Sequence, residues 1–382
     1  MKKILAIFGT RPEAIKLAPV IFALSPMAQV EICVTAQHRR MLDQAMRVFG
    51  MNSDYDLDIM KNNQSLCDTS ARILAAMGGV FEKSRPDIVL VQGDTVTASI
   101  AALAAFYHRV PIGHLEAGLR TYDPAAPFPE EINRQLISRI ANFHFAPTQS
   151  AKENLIREGI SSEQVFLTGN TIVDALQMII PKAREAKWPN SFPPLDTLLS
   201  QRDHHSGRLI LVTGHRRENF GRPFQNICEA LRQIANQVPD VVIIYPVHLN
   251  PNIETPVKKS LEGLKNIFLL PPLDYLSFVK LMDLAHIILT DSGGIQEEAP
   301  SLGKPVLVMR NKTERPEGVA AGVARLVGTE QETIVSAVLK LLQDPEDYSK
   351  MQSLQNPYGD GQAAARVADV VMKVTQGGEF LF

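Results

Sequence analysis

Carboxylates, a histidine and two basic side chains recur in this 382-residue chain directly after short apolar runs. Asp94 lies in Gln92-Gly93-Asp94-Thr95 after the run 87–92. Glu116 lies in His114-Leu115-Glu116-Ala117-Gly118 after 110–114. Glu130 opens a helical pattern behind the Pro-rich loop Phe128-Pro129. Three positioned acids suit proton transfer, and if they crowd together, like-charge repulsion separates their pKa values into an acid and a base. Each also has a plainer reading: Asp94 or Thr95 would cap the next helix, and Glu130 would be an ordinary partner of a helix dipole.

A second group of residues suits a phosphorylated ligand. Arg11 and Lys16 follow the first apolar run in Gly9-Thr10-Arg11-Pro12-Glu13-Ala14-Ile15-Lys16, and both supply positive charge. His215 follows another run in Thr213-Gly214-His215-Arg216-Arg217-Glu218. It could bind phosphate or donate a proton near neutral pH. In Thr290-Asp291-Ser292-Gly293-Gly294-Ile295-Gln296-Glu297-Glu298, an apolar run passes through two glycines into a helical pattern. Such a turn bares backbone N–H groups at a helix start and fits a diphosphate. Glu298, about one turn further on, is placed to accept hydrogen bonds from ribose hydroxyls. The competing reading is a tight turn with Ser292 as helix cap.

The elements that would position these residues alternate. Strands are expected at 3–8, 30–35, 87–92, 110–114 and 143–146, then at 208–213, 241–246, 267–270, 286–290 and 305–309. Helices are expected at 14–25, 41–49, 95–107 and 130–142. Several strands are almost continuous in Val, Ile and Leu, as in parallel sheets covered on both faces. The alternation fades between about 171 and 207, where Trp188-Pro189-Asn190-Ser191-Phe192-Pro193-Pro194 reads as loop, and restarts at Arg208. We therefore expect two similar α/β domains, with a ligand in the cleft between them at the carboxyl ends of both sets of strands.

Composition narrows the function. An apolar content of 45% can fill two cores, and a net charge of −2 without a basic block argues against a nucleic-acid partner. No apolar run approaches the ~18 residues a membrane span needs. Cys33, Cys67 and Cys228 form no CxxC pair, which argues for a reducing, cytoplasmic setting and against zinc. No His or carboxylate spacing suggests another metal. P-loop, nucleophile-elbow and redox-dinucleotide signatures are missing.

These motifs, together with Thr313-Glu314-Arg315-Pro316-Glu317 and Asn356-Pro357-Tyr358-Gly359-Asp360-Gly361, occur in one order along nearly the whole chain. In that order the sequence resembles the bacterial non-hydrolysing UDP-N-acetylglucosamine 2-epimerases. The resemblance implies a GT-B glycosyltransferase-like fold of two Rossmann-like domains, 1–169 and 170–360. A C-terminal helix from about 361 to 382 would pack back onto the first domain. It implies reversible conversion of UDP-GlcNAc to UDP-ManNAc, by elimination of UDP to a bound glycal and its re-addition. No cofactor and no metal are required, and the product would serve bacterial surface polysaccharide. A cytoplasmic homodimer is the family expectation.

By the same resemblance, Asp94, Glu116 and Glu130 form the acid/base set and His215 assists the departing phosphate. Arg11 and Lys16 act near sugar and phosphate. Ser292, Gly293 and Gly294 hold the diphosphate, Glu298 the ribose, and Arg315 the nucleotide side. Leu273 and Phe278 neighbour uracil. A second, activating UDP-GlcNAc would meet Gln37, Arg40, Arg72 and His248. Two rivals use the same residues differently: a GT-B glycosyltransferase with a UDP-sugar donor, and a non-catalytic nucleotide-sugar sensor.

Overall fold

The structure is a computed structural model describing residues 1–36, 39–60, 64–188 and 208–376. The expected loop from Pro189 onward lies outside the described residues. The chain divides into two compact units, Met1–Met178 with Tyr358–Phe382, and Ile179–Pro357. The division falls inside the helix Thr171–Glu185, beyond the Gly169-Asn170 connection expected from sequence.

The first unit carries a seven-stranded sheet of β1 (Lys3–Phe8), β2 (Gln29–Val34), β3 (Tyr55–Asp56), β4 (Ile88–Gln92), β5 (Ile112–Leu115), β6 (Phe143–Ala146) and β7 (Val165–Leu167). Its order is β3-β2-β1-β4-β5-β6-β7, and every pairing is parallel. β1 explains why parallel pairing wins: Ile4 to Phe8 are all fully buried, so both faces need cover. Burying one such aliphatic side chain contributes about 2 kcal/mol. The order reverses between β1 and β4, and a ligand of an open α/β sheet binds outside the strand ends at that reversal.

The returning segment belongs to this unit. Asn170 N donates to Tyr358 O at 2.7 Å, and Ala364 N donates to the Asp174 carboxylate at 2.8 Å. The helix Ala363–Gln376 then packs against the helix Arg11–Leu24.

The second unit repeats the plan with six strands: β8 (Leu209–Thr213), β9 (Val242–Pro246), β10 (Ile267–Leu270), β11 (Ile287–Thr290), β12 (Val306–Val308) and β13 (Ala324–Leu326). All pair in parallel in the order β10-β9-β8-β11-β12-β13. Here the reversal lies between β8 and β11, whose ends carry the His215 and Ser292 segments. Among the described residues, no helix is long and apolar enough to cross a membrane.

Candidate active site

In the first unit the turn after β1 is built around Glu13. Its buried carboxylate accepts from Gly9 N (3.0 Å), Thr10 N (2.8 Å) and Thr10 Oγ1 (2.7 Å) on one oxygen. Its other oxygen accepts from Thr95 Oγ1 at 2.5 Å, which ties the β1 turn to the β4 turn. Burial pushes the Glu13 carboxyl up, against these donors. Gly9 is required by space: a Cβ there would sit 2.2 Å from Thr35 Oγ1 and 2.5 Å from Thr97 Oγ1.

Asp94 follows β4 and a left-handed Gly93. Thr95 is the helix cap, accepting from Ala98 N at 3.0 Å. Asp94 instead takes Arg134 Nη2 at 2.6 Å on its carboxylate, while its carbonyl accepts from Asn133 Nδ2 at 2.9 Å. Burial raises the Asp94 pKa, Arg134 opposes it, and the nearby charges of Glu116 and Glu130 add to the rise. Asp94 thus feels both of the other acids expected from sequence.

Glu116 lies just past the run read as a strand at 110–114. β5 stops at Leu115, and Glu116 adopts a left-handed φ of 60°. A non-glycine residue held there is uncommon and stores strain, which tends to cluster at functional sites; Ala36, Asp58, Arg85, Arg109 and Tyr122 share the sign of φ. The Glu116 carboxylate, 9% exposed, accepts from Lys16 Nζ at 2.5 Å, from Gln92 Nε2, and from Asn170 Nδ2 at 3.4 Å. Lys16, read as a phosphate ligand, is therefore engaged with the Glu116 carboxylate. Arg11 is partly exposed in the first turn of the helix Arg11–Leu24, and Glu130 begins the helix Glu130–Ile140.

His114, two residues before Glu116, is fully buried, and its Nε2 lies 2.7 Å from Gly93 O. A carbonyl only accepts, so Nε2 carries the proton. Burial depresses this imidazole to about 3, so it is a neutral structural donor.

In the second unit Asp291 organises the site. It is fully buried and accepts from His215 N (2.9 Å), Arg216 N (2.9 Å) and Asn219 Nδ2 (3.2 Å). His215 Nδ1 lies 3.3 Å from it. Burial lowers the His215 pKa, Asp291 raises it, and Arg216 and His248 lower it further; His248 stacks on it at 6.0 Å.

Ser292 sits at the start of the short helix Gly293–Glu298, yet its side chain makes no capping bond there. The turn is held from behind: Ser292 N donates to Thr290 Oγ1 at 2.9 Å, and Gln296 Nε2 to Ser292 O at 3.1 Å. Glu298 is buried at 9% exposure on this helix. Arg315 is bound through Nε to the Glu297 carboxylate. Arg216 Nη2 meets Glu314 at 2.6 Å, and Arg310 also binds Glu314. Burial would raise Glu314, but Arg216, Arg315 and Arg310 hold it at about 2.

Leu273 precedes, and Phe278 lies within, the helix Tyr275–Leu284; both are partly buried. Of the activator positions, Arg40 and His248 are exposed and Arg72 is partly buried, while Gln37 lies outside the described residues. Among the described residues no group of His, Cys, Asp and Glu could hold a metal.

A family model described as UDP-N-acetylglucosamine 2-epimerase matches residues 23–372. The chain belongs to the UDP-N-acetylglucosamine 2-epimerase family. The epimerase of Yersinia pestis is 52% identical over 370 residues, covering 96% of this chain and 97% of that one. The crystal structure of the UDP-GlcNAc 2-epimerase from Neisseria meningitidis bound to UDP-GlcNAc superposes with a TM-score of 0.87 at 46% identity. It covers 97% of this chain and 100% of that one. A glycotransferase of kitacinnamycin shares the fold at a TM-score of 0.65 and 12% identity, covering 97% of this chain and 98% of that one. The fold is thus the GT-B-like pair of Rossmann-like domains.

Sequence reading missed the residues through which this epimerase-family site is held. Glu13, Gln92, Arg134 and Asn170 each bind a group on another strand end, and only the non-local order of the sheet reveals that. For Asp291 a local signal existed: a carboxylate at a strand end just before a Gly-Gly turn.

Proposed function

We propose that the chain interconverts UDP-GlcNAc and UDP-ManNAc without hydrolysis. The C2 proton is not adjacent to a carbonyl, so its removal must accompany departure of UDP from C1. A carboxylate takes the proton, the C2–H electron pair forms the C1=C2 bond, and the C1–O pair leaves on the diphosphate. The bound glycal is then protonated at C2 on the other face, and UDP oxygen re-adds at C1. Acid and base must both be present on the sugar. The observation that supports this most is Glu116, a nearly buried carboxylate in a left-handed backbone state held by Lys16, Gln92 and Asn170, whose charge reaches Asp94.

The Ser292–Glu298 turn would retain UDP through Ser292, Gly293, Gly294 and Glu298, with Leu273, Phe278 and Arg315 on the nucleotide side. With Nδ1 facing Asp291, His215 presents Nε2 to a ligand. A diphosphate there favours the imidazolium, so the ring becomes charged when it is needed on the leaving group. Arg11 adds positive charge. Homodimer formation, a cytoplasmic setting and supply of a surface-polysaccharide precursor complete the reading, on the strength of family membership. A second UDP-GlcNAc at Arg40, Arg72 and His248 would be an activator.

The decisive experiment incubates the protein with UDP-GlcNAc in deuterated water and follows the products by NMR. UDP-ManNAc deuterated at C2 is expected. Epimer without deuterium, or no epimer, would sink the elimination route.

A further inference from the structure

The helix that carries Glu130 also grips Asp94. Two of its first five residues make the grip: Asn133 Nδ2 donates to Asp94 O at 2.9 Å, and Arg134 Nη2 donates to Asp94 Oδ2 at 2.6 Å. Arg134 is itself fixed, because its Nη1 lies 3.4 Å from the fully buried Glu131 carboxylate and its side chain is 10% exposed. Glu131 in turn accepts from Thr121 N (3.0 Å) and Tyr122 N (3.1 Å), in the segment that follows Glu116. One chain of contacts thus runs from the loop after Glu116 through Glu131 and Arg134 to Asp94.

We propose that Arg134 is a positioning residue for the epimerisation, holding Asp94 in one orientation through the chain of contacts that starts at the loop after Glu116. The proposal rests on the epimerase reading above. An aspartate among other acids has two problems: it is free to rotate, and it tends to keep its proton. A guanidinium held on one carboxylate oxygen answers both, since it fixes the plane of the carboxyl and leaves the other oxygen for substrate. Arg134, Glu116 (paired with Lys16) and Glu130 act on Asp94, while Glu131, Glu13 and the neutral His114 stand behind them on Arg134, Thr95 and Gly93. The helix following Asp94, Val96–Tyr107, carries no charged residue. Burial, Glu116 and Glu130 push Asp94 up, and Arg134 is the cation that opposes them. Removing it must move the Asp94 titration alkaline, whether the catalytic form is acid or base.

The test measures kcat and KM against pH for Arg134→Gln and Arg134→Lys beside wild type. The wild type must first place deuterium at C2 in deuterated water; if it does not, the epimerase reading fails and Arg134 is not the reason. Given an active wild type, Arg134→Gln should lower kcat by about tenfold or more. Its KM should change much less, and one limb of its pH–rate profile should shift to higher pH. Arg134→Lys, which keeps the charge but not the fork, should lower kcat while leaving that limb near its wild-type position. Circular dichroism and thermal melting establish that each variant is folded. A folded Arg134→Gln enzyme with a wild-type pH profile would overturn the proposal, as would one with undiminished kcat. Should Arg134→Gln not fold, Asn133→Ala serves as a second probe of the grip. It should cut kcat without moving either limb, and an unchanged kcat would count against the clamp.

Discussion

His215 and Asp291 form a buried-to-exposed pair: the carboxylate is fully buried at the end of β11, while the imidazole is 42% exposed. Asp291 holds the backbone N–H of His215 at 2.9 Å and faces its Nδ1 at 3.3 Å. The same residue therefore fixes where the ring is and which nitrogen it presents. Asp291→Asn keeps the shape but removes the anion. It should lower stability by about 2 kcal/mol, the scale of a charge-assisted hydrogen bond lost in a buried site. His215 should titrate still lower in the variant, because the anion that raises it is gone. A histidine-resolved NMR titration checks the shift; an unchanged midpoint would mean that Asp291 acts on the loop alone.

Lys16 and Glu116 are coupled, with Nζ and Oε1 at 2.5 Å and both side chains largely out of water. Lys16→Met leaves a carboxylate in place without its cation, which costs several times more than removing both partners. We expect Lys16→Met to lose at least 10²-fold in kcat and to destabilise the fold by about 3 kcal/mol. The double variant Lys16→Met with Glu116→Gln should regain much of the stability but none of the activity. Denaturant melts of wild type, Lys16→Met, Glu116→Gln and the double variant give the coupling energy, and strict additivity would show the pair to be incidental.

How far the site could be read from sequence follows from how its parts are made. Asp94 and Glu116 were legible as candidates because each follows an apolar run, and in an open parallel sheet such ends share one edge; Glu130 was legible only as the start of a helical pattern after a Pro-rich loop. The left-handed backbone at Glu116 was not legible, since no glycine marks it. Nor were the grips of Arg134 on Asp94 and of Asn170 on Glu116, which join residues far apart in the chain. Long buried strands such as β1 and β8 were read almost to the residue. The edge strands β3, β7 and β13 were not, because Tyr55–Asp56, Val165–Leu167 and Ala324–Leu326 are too short to show a period.

The close approach at Gly9 makes a further prediction. Thr35 Oγ1 and Thr97 Oγ1 are hydrogen-bonded to each other at 2.8 Å directly over Gly9. A methyl group there meets both hydroxyls, and β-branched side chains have little rotamer freedom to yield. Gly9→Ala should destabilise by about 2 kcal/mol through overpacking. It should also lower activity, because the displaced turn carries Thr10 and Arg11. Adding Thr97→Ser or Thr35→Ser removes the β-branch, so that the hydroxyl can rotate away from the new methyl group, and should restore part of the stability. A Gly9→Ala protein that melts with wild type would show that the turn has slack.

Acid stability should depend on the buried imidazoles of β5 and β6. His114 and His144 stand opposite each other in the sheet and are fully buried. Burial lowers them to about 3 and about 4, against 6.5 for an exposed histidine. The folded state therefore stays neutral while the unfolded chain takes up protons below pH 6.5. In that window the unfolded state binds more protons, so stability falls as pH falls. Each group contributes about 1.4 kcal/mol per pH unit until its folded pKa is reached. Over the full window His144 alone is worth on the order of 3 kcal/mol. The raised carboxyls of Glu13, Asp94 and Asp174 act in the opposite sense near their own titration. The clean measurement is therefore a difference: His144→Phe, which keeps a ring and cannot charge, against wild type from pH 7 to 4.5. The variant should lose stability less steeply by about one proton's slope, and parallel curves would place His144 in contact with water in the folded state.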